Sequence, residues 1–136
     1  MVSDTNHGVA ACQHAGMQYR PTADELLECI AELLTDEVLP VVPAAVQHKV
    51  RVAANLANML RAEWCLGAAN DVAEVGRLQT LLGHDGPLDG LRDELSERLR
   101  SSDDADFDRA AWHVLVATSH DELAIAKPGH DSWEGQ

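Results

Sequence analysis

Aromatic side chains are scarce in this chain: three Trp, one Tyr and one Phe among 136 residues. Aliphatic residues and Ala must therefore fill whatever core it has. Positive charge is also in short supply. Ten Lys and Arg stand against 23 Asp and Glu, a formal net charge of −13. That balance excludes binding to nucleic acid or to an anionic membrane surface, both of which need clustered Lys and Arg. No apolar run approaches the roughly 20 residues that cross a bilayer. The opening Met1-Val-Ser-Asp4 lacks the basic and apolar segments of a secretory signal, so a cytoplasmic protein is expected. No segment alternates with the period of two that marks a strand.

Cysteine is equally sparse. Cys12, Cys29 and Cys65 are an odd number without close spacing, which fits reduced thiols better than a disulfide framework. Cys29 and Cys65 fall within helical patterns, where a small apolar filler is the simplest role. Two Lys against eight Arg, with Ala abundant, is the composition of a GC-rich bacterial genome.

The rest is ordinary for a globular domain. Hydrophobic residues make up 46% of the chain and charged residues 24%. This length holds one domain with a core, not two. Residues 1–20 are small, polar and aperiodic, and read as a disordered leader. Thr22-Ala-Asp-Glu25 fits a capping box, and Leu26, Leu27, Ile30, Leu33, Leu34 and Val38 then recur at helical spacing up to Leu39-Pro40. Glu37 is out of place there, because it projects onto the apolar face. After the Pro40-Val-Val-Pro43 corner a second helix is expected over 44–66, stopping at Gly67.

Val72, Val75, Leu78 and Leu82 mark a third helix closed by Gly83, and Leu88, Leu91, Leu95 and Leu99 a fourth. A last helix over 105–126 follows the Ser101-Ser-Asp-Asp104 cap cluster, with Phe107, Ala111, Val114, Leu115 and Ile125 inward. Residues 129–136 read as a flexible tail. The expectation is an all-α, single-domain antiparallel bundle of about five helices over residues 21–128.

The most informative stretch is Gln47 to Leu60. It is apolar over most of its surface, yet His48, Arg51, Asn55 and Asn58 fall in one stripe at about 100° per residue. Polar groups in a buried helix cost free energy unless partners satisfy them. Two readings follow. In one, the stripe is an internal brace, with Glu37 from the end of the first helix as the partner of Arg51 or His48. In the other, Arg51 offers its fork of donors to a carboxylate or phosphate, His48 acts as acid or base, and Asn55 and Asn58 orient the ligand. An Arg51 sequestered against an acid means scaffold; an open, unpaired Arg51 means site.

No other chemistry stands out. His7, His14 and His130 lie in the presumed tails, and His113 and His120 are seven residues apart, which is not a metal-ligand spacing. Neither a metal nor a cofactor is expected. No nucleophile motif is present, and Gly83-His-Asp-Gly86 reads as a turn rather than a phosphate loop. Trp64 and Trp112 read as core or interface anchors.

Three separated blocks carry a resemblance: Arg20-Pro-Thr-Ala-Asp-Glu-Leu-Leu27 through Glu37-Val-Leu-Pro40, His48-Lys-Val-Arg-Val-Ala-Ala-Asn55, and Glu122-Leu-Ala-Ile-Ala-Lys-Pro128. Together they resemble a small bacterial all-helical family, a domain of unknown function with an Arg-Val-Ala-x-Asn motif, over about residues 20–128. Its genes stand beside those of acyl-CoA dehydrogenases and aminoglycoside-phosphotransferase-like kinases. The resemblance brings no catalytic residues. It implies an accessory to acyl-CoA metabolism that partners a phosphotransferase-like kinase or an acyl-CoA dehydrogenase. The chain departs from the family pattern near its end, where Lys commonly replaces Glu122, Asn replaces Lys127, and an aromatic stands near His130.

Taken together, the sequence is read as a non-enzymatic interaction module, with an acyl-CoA-type anion binder or minor enzyme using His48, Arg51 and Asn55 as the alternative. Self-association as a homodimer through spare apolar surface is a third possibility.

Overall fold

Thr22 starts the first helix, as its capping pattern predicts. In the computed structural model, which describes residues 20–127, α1 spans Ala23–Glu32. The Thr22 amide donates to Glu25 Oε2 at 2.9 Å, and the Thr22 hydroxyl donates to Asp24 Oδ1 at 2.6 Å. The hydroxyl bond is the main reason the Asp24 carboxyl lies below its ordinary pKa. The expected leader, up to residue 19, and the expected tail fall outside the described residues, as do Cys12, His7, His14 and His130.

The end of this helix departs from the regular pattern. Leu33–Val38 forms a π turn, in which the Leu39 amide donates to the Leu34 carbonyl at 2.9 Å. A π turn closes its bonds over five residues rather than four, so the helical register falls behind. Glu37, which regular α-helical spacing places on the stripe of Leu26, Ile30 and Leu33, is exposed, as those three residues are.

After the proline corner, α2 runs unbroken over Ala44–Leu82, 39 residues, or about 58 Å at 1.5 Å per residue. The expected break at Gly67 does not occur, and the described residues hold four α-helices rather than five. A glycine inside a helix costs only about 1 kcal/mol, and no proline lies between Pro43 and Pro87 to force a stop. Tertiary burial on either side of Gly67 outweighs that cost. The true stop is Gly83, whose φ of +83° is the left-handed conformation that side chains avoid.

α3 spans Leu88–Ser101 and α4 spans Ala105–Ala126. Asp104 caps α4 by accepting from the amides of Asp106 (3.0 Å) and Phe107 (3.2 Å). The core lies where these helices meet the second half of α2: Leu78 and Leu82, Leu91 and Leu95, and Ala111, flanked by Val75, Leu88, Leu99, Phe107 and Val114. Leu115, expected inward, is exposed.

α1 packs along the first half of α2, where the buried side chains are Ala31, Val50, Ala54 and Ala57. Small residues there let two helix backbones approach closely, and Arg61 pins the pair by its ion pair to Glu28 at 2.9 Å. The fold is thus all-helical, with α2 as a spine shared by two packing regions.

The α2–α3 turn carries a pH-dependent tie. His84 Nε2 lies 2.7 Å from Glu94 Oε2, and its Nδ1 lies 3.0 Å from the Asp85 carbonyl. Only the imidazolium donates from both nitrogens. The Asp85 carbonyl, then the Glu94 carboxylate, hold the His84 pKa above its ordinary 6.5. Since the folded value is the higher, protonated His84 stabilises the fold. The contribution is complete below pH 6.5 and is lost as pH rises through the raised folded value. Calorimetry should therefore show His84→Gln melting below the parent near pH 6 and level with it near pH 9. An equal deficit at both pH values would rule out an ionic role.

Candidate functional site

Three of the five residues singled out by sequence meet in one groove. Arg51, Asn55 and Asn58 project from α2 beside Val50 and Ala54, facing Leu34 and Thr35 of the π turn and Leu39. The cleft measures about 200 Å³. Arg51, Asn55 and Asn58 are all exposed, so the helix is not buried on this side as the sequence reading supposed. Asn55 Nδ2 makes a weak contact to Met59 Sδ at 3.7 Å.

The remaining two residues stay apart. His48 is exposed and does not line the groove, and Glu37 points to solvent. No ion pair joins Glu37 to Arg51 or His48 among the described residues. Of the two geometries laid out from sequence, Arg51 adopts the open one.

An internal brace does exist, but elsewhere on the same helix. Glu74 is 8% exposed and accepts two hydrogen bonds from Arg92 of α3, at 2.9 Å from Nε and 2.7 Å from Nη2. The hydrogen bonds it donates to Glu74 are the main reason the Arg92 guanidinium is pushed further above its ordinary value. One turn on, Arg77 donates to Asp121 Oδ2 at 2.7 Å and to the Thr118 hydroxyl at 3.3 Å. Asn70 donates to the Asp121 carbonyl at 3.2 Å. These residues line a second cleft, of about 180 Å³, bounded by α2, α3 and α4. Its cations each face a carboxylate, so it locks helices together rather than offering charge to a ligand.

Sequence reasoning missed this brace. The signal was present: Gly67, Asn70, Glu74 and Arg77 follow each other at three- and four-residue steps. Ending the helix at Gly67 cut that stripe at its first member, so its polar residues were never read as one face.

A third feature is apolar. Leu56 and Leu60 of α2 are exposed, as are Leu26 and Ile30 of α1 and Leu33 at the start of the π turn. Leu60 lies nine residues past Arg51, about 180° around the helix. The α1–α2 pair therefore carries a polar groove on one side and an apolar face on the other. Trp112, Val116 and Leu123 form a further exposed stripe on α4, with Trp112 65% accessible. Trp64 and Trp112 are thus not core anchors.

Among the cysteines, Cys29 is an exposed free thiol, not core filler. Cys65 is not a free thiol, so three reduced cysteines do not describe the chain. His113 and His120 are exposed, and among the described residues no three potential metal ligands converge. No described helix is long and apolar enough to cross a membrane.

A family model described as a domain of unknown function, DUF6285, matches residues 40–130. The chain belongs to that family. The DUF6285 match takes in the whole of α2, α3 and α4, with Arg51, Asn55 and the brace. It begins after α1 and the π turn, so the Arg20-Pro-Thr-Ala block lies outside it, and the matched span is shorter than the 20–128 the resemblance suggested. No curated protein and no solved structure matches the chain.

Proposed function

We propose that this DUF6285 chain is a non-enzymatic accessory module that binds a partner protein through the apolar face of α1 and α2. One observation carries this reading: the large apolar side chains are more often outside than inside. Half of the ten buried hydrophobic residues are Ala, while Leu26, Ile30, Leu33, Leu56 and Leu60 stand exposed along neighbouring helices. Large apolar side chains gathered on one exposed helix pair are the mark of an interaction surface. The charged clusters add support, because the brace at Glu74, Arg77, Arg92 and Asp121 is spent on internal pairing and holds no free acid–base couple.

The resemblance nominates the partner: a phosphotransferase-like kinase or an acyl-CoA dehydrogenase-type enzyme. The test is light scattering on the intact chain, alone and mixed with each purified candidate. A stoichiometric complex is expected with one of them. Paired substitutions Leu56→Glu and Leu60→Glu should weaken it roughly 100-fold, as removal of central apolar anchors does, with thermal stability little changed because both positions are exposed. Absence of a complex with either enzyme, or a complex that ignores the substitutions, would refute the reading. A homodimer dissolved by the same substitutions would assign the face to a second copy instead.

A further inference from the structure

The described residues contain all eight arginines of the chain, and seven of them are engaged. Arg20, Arg61, Arg77, Arg92, Arg100 and Arg109 each face a carboxylate. Arg98 lies over the Phe107 ring at 4.3 Å. Arg51 alone has neither an acid nor a ring among the described residues, although acids outnumber bases by more than two to one. In so acidic a protein, an unpaired guanidinium set in a groove with two carboxamides has its donor fork free to meet an anion.

The groove also limits what enters it. Thr35 and Asn58 line both the Arg51 groove and an adjoining cleft formed with Glu28, Glu32, Asp36 and Arg61. Arg61 is held by Glu28, while Glu32 and Asp36 have no ion-pair partner among the described residues. The trench along the α1–α2 seam therefore has a cationic end at Arg51 and an acidic end at Glu32 and Asp36. Every added negative charge on a ligand meets that acidic end and the overall charge of −13. A single carboxylate satisfies Arg51 at least repulsion, and an ammonium further along the ligand gains from the acids.

We infer that this trench binds a small zwitterion by its carboxylate, with Arg51 gripping the carboxylate through its donor fork, Asn55 and Asn58 donating amide N–H bonds, and Glu32 and Asp36 receiving the cationic end. The volume of about 200 Å³ at the Arg51 end accommodates a carboxylate on a short chain. This site lies on the opposite side of the α1–α2 pair from the apolar face, so the two can be tested apart.

The experiment is an NMR titration of the intact chain, following the side-chain amides of Asn55 and Asn58. The probes are 4-aminobutyrate, butyrate, butylamine, inorganic phosphate and pyrophosphate. Saturable shifts are expected with 4-aminobutyrate, weaker ones with butyrate and phosphate, and none with butylamine. Pyrophosphate should bind no better than butyrate. Arg51→Gln should weaken 4-aminobutyrate roughly 10-fold or more, and Arg51→Lys should recover only part of that, since it restores charge without the fork. Unchanged melting of both variants separates this loss from unfolding, as Arg51 is exposed.

Several results would overturn the inference: no saturable shift with any carboxylate, shifts that persist in Arg51→Gln, or pyrophosphate as the tightest probe. Silence to every small probe together with an Arg51-dependent complex with a partner protein would also overturn it and make Arg51 a protein contact.

Discussion

Leu78→Ala will lower the unfolding free energy by about 3–5 kcal/mol, the upper part of the range for emptying a buried leucine site. Leu78 is 1% exposed and sits among Leu82, Leu91, Leu95 and Ala111, where α2, α3 and α4 converge. Neighbours on three rigid helices cannot collapse into the space, so the cavity persists and its lining loses contacts outright. The control is Leu56→Ala on the same helix. Leu56 is 51% exposed, and its truncation should cost less than about 1 kcal/mol. Urea unfolding of both variants measures the difference. A Leu78→Ala protein within 1 kcal/mol of the parent would show that the core does not lie at this junction.

Arg92→Ala will cost about 2–3 kcal/mol, the range for stripping a charged partner from a buried group. Glu74 is buried and receives both of its side-chain hydrogen bonds from Arg92. Without the guanidinium its carboxylate keeps the desolvation cost and loses the compensation. Arg92 itself is partly exposed, which keeps the figure below that of a fully buried pair. The double variant Arg92→Ala with Glu74→Leu should recover much of the loss, because removing both partners also removes the uncompensated charge. Chemical denaturation of the three variants completes the cycle. A double variant no better than Arg92→Ala would mean that the pair acts through packing rather than charge.

These two positions differ in how plainly they could be read. Leu78 follows from the three- and four-residue spacing of Val75, Leu78 and Leu82, which marks a buried helix face whatever that helix packs against. The same holds for Leu91 and Leu95 in α3 and for Phe107, Ala111 and Val114 in α4. Glu74 and Arg92 lie 18 residues apart on different helices, and periodicity carries no information about partners at that distance. Gly67 compounded the difficulty. Its local cost of about 1 kcal/mol favours a helix end, but burial along a 39-residue helix decides otherwise.

The candidate site shows the same division. Local spacing placed Arg51, Asn55 and Asn58 on one stripe, and the structure seats those three in one groove. His48 belongs to the stripe by angle and not to the groove, because lining also depends on where the opposing π turn ends. Regular helical geometry places Glu37 on the stripe of Leu26, Ile30 and Leu33, and packing against α2 leaves that whole stripe, Glu37 included, exposed.

By itself, then, the sequence determined the helical class, the main helix starts at Thr22 and Asp104, the stop at Gly83, the apolar stripes and the acidic charge balance. These depend on interactions within about one turn of chain, or on composition summed over all of it. Only the tertiary structure decided that α2 continues through Gly67, that the ionic brace joins Glu74 to Arg92 and Arg77 to Asp121, and that Arg51 is left without a counter-charge. Those outcomes depend on which surfaces meet across tens of residues, where the free energy of burial and pairing outweighs any local preference.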